Sequence, residues 1–275
     1  MPPAVMIMTL NEEANLRPLV ASFPAGTRFF LFDSYSTDQT VPIARELGMT
    51  VIQRKFDNWA SHQNWGAANI DFGNPWVFYI DADERMTPEL WQEVCAAADH
   101  PGDCQAFDLR RKDMFLGKWI QRSSFYPCWF VRLYRPTKIR WERLVNPVSI
   151  VDGKLGRLQE HFIHYPFSKG ISFWFERHIK YADFEAQEVL RVAQEPLHLG
   201  AIFGKDRHER RRTLKRLFYR MPGRPLIKFF VLYFLRRGFL DGQAGFNYAI
   251  MQSVYEYMIS LRVREISRLR QGLPV

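Results

Sequence analysis

The chain is 275 residues long, 47% hydrophobic and 15% aromatic, with a formal net charge of +9. It can bury a sizeable core as one large domain, or as a domain with an appendage. Three cysteines without metal-type spacing (Cys95, Cys104, Cys128) argue against a disulfide framework and for a reduced cytoplasmic setting. No apolar run approaches the roughly 20 residues of a bilayer span, and no basic region or cleavage site accompanies Ala4-Val5-Met6-Ile7-Met8.

Residues 5–8 form a short apolar strand ending at Thr9-Leu10-Asn11-Glu12-Glu13, where Thr9 and Glu12 stand at capping-box spacing for a helix over 14–22. A second strand, 28–32, runs into Asp33 and the polar turn Ser34-Tyr35-Ser36-Thr37-Asp38. A helix over 40–47 is stopped by Gly48, and 50–52 is a third strand. Residues 57–71, rich in Asn, Gln and Trp, read as a loop and a short helix. Trp76-Val77-Phe78-Tyr79-Ile80 reads as a strand buried on both faces, and it stops on Asp81-Ala82-Asp83-Glu84-Arg85. Thr87, Pro88 and Glu89 then start a helix over 88–98.

Strands alternating with helices predict an α/β fold with a doubly wound, mostly parallel sheet, whose ligands bind outside the carboxyl ends of the strands. Thr9, Asp33 and the Asp81/Asp83 pair all stand at such ends. Residues i and i+2 of a strand point the same way, so Asp81 and Asp83 face one ligand; two carboxylates there suit Mg²⁺ or Mn²⁺. Neither a Gly-x-Gly-x-x-Gly fingerprint nor a Gly-Lys-Ser/Thr loop occurs, which argues against dinucleotide binding and nucleotidyl transfer.

Beyond Asp103 the texture changes. Strands over 107–115, 126–134 and 145–151 are punctuated by Gly117, Pro127, Pro136 and Pro147 and are expected to be antiparallel. A helix over 172–194 follows, then residues 205–224 with nine Lys or Arg against two acids. An apolar run, 226–235, leads to the breaker Asp241-Gly242 and a last helix on which Ile250, Val254, Met258, Leu261 and Ile266 trace one face. No internal repeat or low-complexity tract is present.

With these residues in view, the chain resembles family 2 glycosyltransferases of the GT-A fold, above all bacterial members that build lipopolysaccharide core and exopolysaccharide. The resemblance is carried by Thr9-Leu10-Asn11-Glu12-Glu13, Asp33-Ser34-Tyr35-Ser36-Thr37-Asp38, Ile80-Asp81-Ala82-Asp83-Glu84-Arg85, Gly117-Lys118-Trp119, Arg132-Leu133-Tyr134-Arg135, His164-Tyr165 and Gly238-Phe239-Leu240-Asp241-Gly242. It implies a UDP- or GDP-linked sugar as donor. Thr9, Glu12 and Asp33 would hold base and ribose, with Asp81 near ribose and metal. Asp83 would ligate a Mg²⁺ or Mn²⁺ on the diphosphate, and His164 is a further metal ligand of the kind many GT-A enzymes place late in the chain.

Two departures matter. Relatives carry Val-His-Glu where this chain has Val145-Asn146-Pro147, and neither Asn nor Pro can take a proton from an acceptor hydroxyl in an inverting reaction. Glu142, Glu160 and His161 are the alternative bases, Glu142 preferred. In His62-Gln63-Asn64 an uncharged Gln63 stands where relatives have a basic residue, and it is expected to hydrogen-bond base or phosphate. The Asn146-Pro147 departure keeps a non-catalytic sugar-nucleotide or glycan-binding protein as the alternative.

Simpler roles stand beside these. Glu12 is equally a helix cap, and Asp33 a turn residue. Arg132, Arg135 and Trp129 are phosphate or sugar contacts, or core; Asp108 and Asp113 read as solvated charges. The basic segment has three readings: a solvated face, a nucleic-acid patch without any accompanying motif, and an in-plane anchor on anionic lipid. The last suits a lipid-linked glycan acceptor and predicts a protein peripheral on the inner face of the cytoplasmic membrane, with no nucleic acid partner. The expected division is a nucleotide-sugar half (1–105), an acceptor half (106–200) and a helical tail (201–275).

Overall fold

The computed structural model of the chain describes residues 1–142, 147–203 and 206–275, with the side chains of residues 203, 207, 208, 211 and 212 outside that description. Val145 and Asn146 of the departed motif, and Lys205 of the basic segment, therefore lie outside the described residues. The chain divides into two compact units, Met1–Met114 with Tyr126–Ser168 and Phe115–Phe125 with Lys169–Val275. These limits differ from the expected ones at 105 and 200, because one sheet continues through residues on both sides of 105.

In the first unit the strands are β1 (Ala4–Thr9), β2 (Phe29–Asp33), β3 (Thr50–Gln53), β4 (Val77–Asp81), β5 (Glu84–Arg85), β6 (Cys104–Phe115), β8 (Cys128–Tyr134), β9 (Ile139–Glu142), β10 (Val148–Val151) and β11 (Lys154–His164); β7 (Lys118–Trp119) belongs to the second unit. From edge to edge the main sheet runs β3-β2-β1-β4-β8-β6-β11-β5. Neighbours among β3, β2, β1 and β4 are parallel, β8 is antiparallel to both β4 and β6, and β11 is parallel to β6. The fold is therefore the expected α/β arrangement, with a mostly parallel half and an antiparallel insertion. β1 shows why the apolar runs are unbroken: Val5 and Ile7 enter one hydrophobic cluster, Met6 and Met8 the other, so both faces are buried.

The helices of this unit are α1 (Glu13–Val20), α2 (Thr40–Glu46), α3 (Trp59–Asn69) and α4 (Pro88–Asp99). Thr87 caps α4 as expected, its hydroxyl accepting from the Leu90 amide at 3.2 Å. The Thr9–Glu12 capping box does not form. Asn11 adopts φ +56 and turns the chain, so Thr9 stays in β1 while the amides of Glu12 and Glu13 donate to Thr40 Oγ1 and Asp38 Oδ2. The start of α1 is capped across the gap by the neighbouring loop. The stretch 57–71 is mostly helix, because Asn58 accepts from the Ser61 amide and starts α3. β9 and β11 were not legible beforehand: β9 has only four residues, and β11 carries a register irregularity between Arg157 and His161.

The second unit is helical: α5 (Gly170–Ala193), α6 (Arg207–Arg220), α7 (Arg224–Phe230), a π-turn (Val231–Leu235), a 3-10 turn (Gly238–Asp241) and α8 (Gly242–Arg270). The Gly238–Asp241 motif is a structural joint. Buried Asp241 accepts from the amides of Arg122 and Ser123 and from the Ser123 hydroxyl, at 2.8–2.9 Å. A Cβ at Gly245 would lie 2.1 Å from the Gly238 carbonyl oxygen, so only glycine permits this approach.

On α8 the expected apolar face is only partly covered, with Met258 half-buried against Ile259 and Ile266 half-buried. Ile250, Val254 and Leu261 are exposed, while Met251, Glu256 and Ile259 are buried. Glu256 enters because Arg224 meets its carboxylate at 2.9 Å. Among the described residues, no helix is long and apolar enough to cross a membrane.

Candidate active site

Parallel pairing sets the carboxyl ends of four strands in register: Thr9 lies beside Asp33, Asp33 beside Gln53, and Met8 beside Asp81. The sequence-expected residues Thr9, Asp33 and Asp81 thus share one rim. Asp33 is wholly buried there. It accepts from Thr9 Oγ1 at 3.0 Å, Gln53 Nε2 at 2.9 Å, the Ser36 amide at 2.9 Å and the Ser36 hydroxyl. Its carboxylate therefore locks the Ser34–Asp38 loop to the strand ends, and Gln53 is a rim residue that sequence reading missed. Glu12 sits at the start of α1, accepting from Asn15 Nδ2 at 2.7 Å. Gln63 is buried on α3, and its Oε1 has no hydrogen-bond partner among the described residues. Next to it, His62 stacks on Phe32 at 4.0 Å, and burial first, then Arg54, pushes its imidazole down to about 4.

The Asp81–Asp83 turn is held from beneath by charges. Arg132, expected as a phosphate or sugar contact, is buried; its Nη2 meets Glu84 Oε1 at 2.6 Å and Asp81 Oδ2 at 2.8 Å. Its guanidinium also lies 4.4 Å from the Tyr79 ring, whose hydroxyl donates to Asp81. The Asp81 amide donates to Glu84 Oε2 at 2.9 Å. Burial pushes the Glu84 carboxyl up, opposed by Arg132. Desolvation acts against the charge of Arg132, yet Glu84 and Asp81 outweigh it and hold the guanidinium cationic. Asp81 keeps 35% of its side-chain surface and Asp83 23%, so both carboxylates remain accessible.

Asp83 has a partner from far along the chain. β5 pairs antiparallel with β11, setting Glu84 beside His164, and β11 pairs with β6, setting His164 beside Asp113. His164 Nε2 lies 3.4 Å from Asp83 Oδ2, while its Nδ1 lies 2.6 Å from Asp113 Oδ1. Desolvation opposes protonation of His164, but Asp83 and Asp113 prevail and raise it to about 9. Burial works against the Asp113 charge; His164 and then Arg111, at 2.9 Å, nevertheless hold its carboxyl below the usual range. Asp113 is thus no solvated charge. Neither is Asp108, which is buried and bound by Arg157 at 2.7 and 2.8 Å.

No group of three His, Cys, Asp or Glu side chains converges as a metal cluster among the described residues. Asp83 and His164 nonetheless suit a divalent cation. One carboxylate oxygen and one imidazole nitrogen face each other; a cation would displace the proton His164 holds towards Asp83, while Asp113 keeps the Nδ1 proton and orients the ring. A diphosphate would complete the coordination.

The expected bases lie on two strands, Glu142 on β9 and Glu160 and His161 on β11. Glu142 lies on the β9–β10 hairpin with 55% of its side chain exposed, 3.4 Å from Arg140. That hairpin is tied to α3, the helix that also carries Gln63, by two bonds between Asn64 and the Trp141 backbone, 2.8 and 2.9 Å. Glu160 lies 3.8 Å from His161, its amide donating to Glu93. Burial, Lys112 and Arg110 lower His161 to about 4.

The model of glycosyl transferase family 2 matches residues 4–160, so the chain belongs to that family and is a glycosyltransferase. Among curated proteins it is similar to the lipopolysaccharide core biosynthesis glycosyltransferase LpsC of Rhizobium meliloti, 23% identical over 98% of this chain and 94% of that one. It is also similar to an uncharacterized glycosyltransferase of Rickettsia typhi, 26% identical over 96% of this chain and 87% of that one. Among solved structures, S. aureus TarS 1–349 in complex with UDP-GlcNAc aligns over 99% of this chain and 93% of that chain, with 15% identity and a TM-score of 0.41.

Proposed function

We propose that the protein is an inverting, metal-dependent glycosyltransferase moving a sugar from a UDP- or GDP-linked donor to a lipid-linked glycan acceptor in cell-surface polysaccharide synthesis. The observation that carries this reading is the meeting of Asp83 with His164, backed by Asp113, at the rim where Asp81, Asp33 and Thr9 converge. The likeness to LpsC along nearly all of both chains supports the acceptor class.

Thr9, Glu12, Asp33 and Gln63 hold base and ribose in this reading. Thr9 and Asp33 do so through the Ser36 loop they anchor. Asp81 faces the ribose and the metal; Asp83 and His164 ligate the metal. A cation bound there would neutralise the charge that grows on the nucleoside diphosphate. The acceptor oxygen forms its bond to the anomeric carbon as the carbon–diphosphate bond breaks, and a base takes the hydroxyl proton.

Asp83→Ala is expected to lower kcat/KM by about 10³-fold or more and to abolish the Mn²⁺-dependent part of stabilisation by UDP or GDP; unchanged transfer and unchanged Mn²⁺ dependence sink the reading. Glu142 remains the proposed base. Glu142→Gln is expected to cost about 10²-fold or more in kcat with nucleotide binding retained, and an unchanged kcat removes it from the mechanism.

The acceptor's lipid would be met by the helical unit. Leu226 (76% exposed), Phe230 (53%) and Leu235 (68%) stand out with Phe234, Phe239 and Leu240, and Phe246, Ile250, Val254 and Tyr257 continue the apolar stripe along α8. Arg236 lies over exposed Phe125 at 4.8 Å, and the basic residues of α6 precede the corner. Apolar side chains with cations beside them suit an anionic bilayer surface, as on the inner face of the cytoplasmic membrane.

A further inference from the structure

Three strands of the first unit bring an aromatic, a cation and an imidazole into one row. Trp129 of β8 pairs with Arg110 of β6, and Arg110 pairs with His161 of β11. The Arg110 guanidinium carbon lies 5.6 Å from the Trp129 ring and 5.9 Å from that of Tyr126. Lys112 follows two residues along the same strand.

Neighbouring arginines on these strands are each matched to an acid: Arg111 to Asp113, Arg132 to Glu84 and Asp81, Arg157 to Asp108. Arg110 is matched to none. No carboxylate among the described residues pairs with it, and its Nε is buried without an acceptor. Arg132 Nε is buried without an acceptor as well, so what sets Arg110 apart is that no described carboxylate meets any part of its guanidinium, which leaves it open to an acceptor from outside. The surroundings agree. Burial, then Lys112 and Arg110, depress His161, leaving a neutral imidazole able to donate beside the cations. Burial also lowers Lys112, although Glu160 opposes it, and Arg110 adds to the lowering.

A planar guanidinium binds phosphate or carboxylate oxygens in pairs, which a lysine alone does not reproduce. We infer that Arg110, with Lys112 and His161 beside it, binds an anionic group (phosphate or carboxylate) of the acceptor, so that the acceptor is an acidic glycan. Calling the occupant the acceptor rests on the glycosyltransferase reading proposed above; the preference for an anionic sugar does not.

The test uses the full chain saturated with UDP and Mn²⁺, titrated calorimetrically with glucose 6-phosphate, glucuronate and glucose. At least one acidic sugar is expected to bind tenfold or more tighter than glucose, and which one does so distinguishes phosphate from carboxylate recognition. Arg110→Gln is expected to remove that preference, Arg110→Lys to keep part of it, and both to retain the thermal shift given by UDP. Equal binding of the three sugars overturns the inference, as does an acidic preference unchanged in Arg110→Gln. An acidic preference seen only without UDP also overturns it, since the sugar would then be occupying the diphosphate site. Absence of any UDP shift in the wild-type chain, with the acidic preference intact, would fault the donor reading and leave this inference standing.

Discussion

The two units break the ordinary rule of protein interiors in opposite directions. The first buries charge: Asp33, Glu84, Asp113 and Arg132 are all withdrawn from water at or beneath one sheet rim. The second buries Asp241 and the Arg224–Glu256 pair but also exposes apolar surface: Leu226, Phe230, Phe234 and Leu235 stand in solvent, and so do Ile250, Val254 and Leu261 of α8. Buried charge is tolerated only when paired, and a broad exposed apolar patch persists only when something covers it. The first exception fits the ligand chemistry proposed for the rim, the second the lipid contact proposed for the helical unit.

The contrast can be broken at Arg132. Arg132→Met leaves Glu84 buried with its cation gone, and about 3–5 kcal/mol of stability is expected to disappear in urea unfolding. A loss below about 1 kcal/mol would mean the buried charges are not holding the turn.

His164 sharpens the comparison through pH. Its folded value near 9 lies above the ordinary 6.5, so it contributes stability that is fully present below about pH 6.5 and is lost as pH rises through 9. Measured in EDTA, wild type is expected to lose on the order of 3 kcal/mol relative to His164→Gln between those limits. Parallel pH profiles for the two proteins would refute the carboxylate–histidine–carboxylate arrangement.

The smallest effect belongs to the helical unit. Phe230→Ser and Phe234→Ser are each expected to weaken flotation with anionic vesicles by about tenfold, from loss of roughly 1.5–3 kcal/mol of apolar burial, with the UDP thermal shift unchanged. Equal flotation of variant and wild type would reassign the patch.

Much of the parallel half was legible because apolar runs ending in Asp are a local signal. β1, β2, β3 and β4 lie where the runs place them, and Thr87 caps its helix as its spacing requires. Legibility failed where a residue's role came from a distant partner. Asp108 and Asp113 looked like surface charges because Arg157, His164 and Arg111 are invisible to a local reading. The Thr9–Glu12 spacing misled for the converse reason: a local motif was present, and Asn11 turned the chain so that the neighbouring loop supplied the caps instead.

By itself, the order of residues determined the alternation of strands and helices, the strand that ends in paired carboxylates, and the family to which they belong. Hydrophobic periodicity and short-range capping act within a few residues and leave their mark there. Only the folded chain decided that Asp83 faces His164, that Arg132 lies under the turn, and that Ile250, Val254 and Leu261 of the last helix are exposed. Those outcomes depend on strand pairing and charge matching between segments far apart, whose energies appear once the chain has closed on itself.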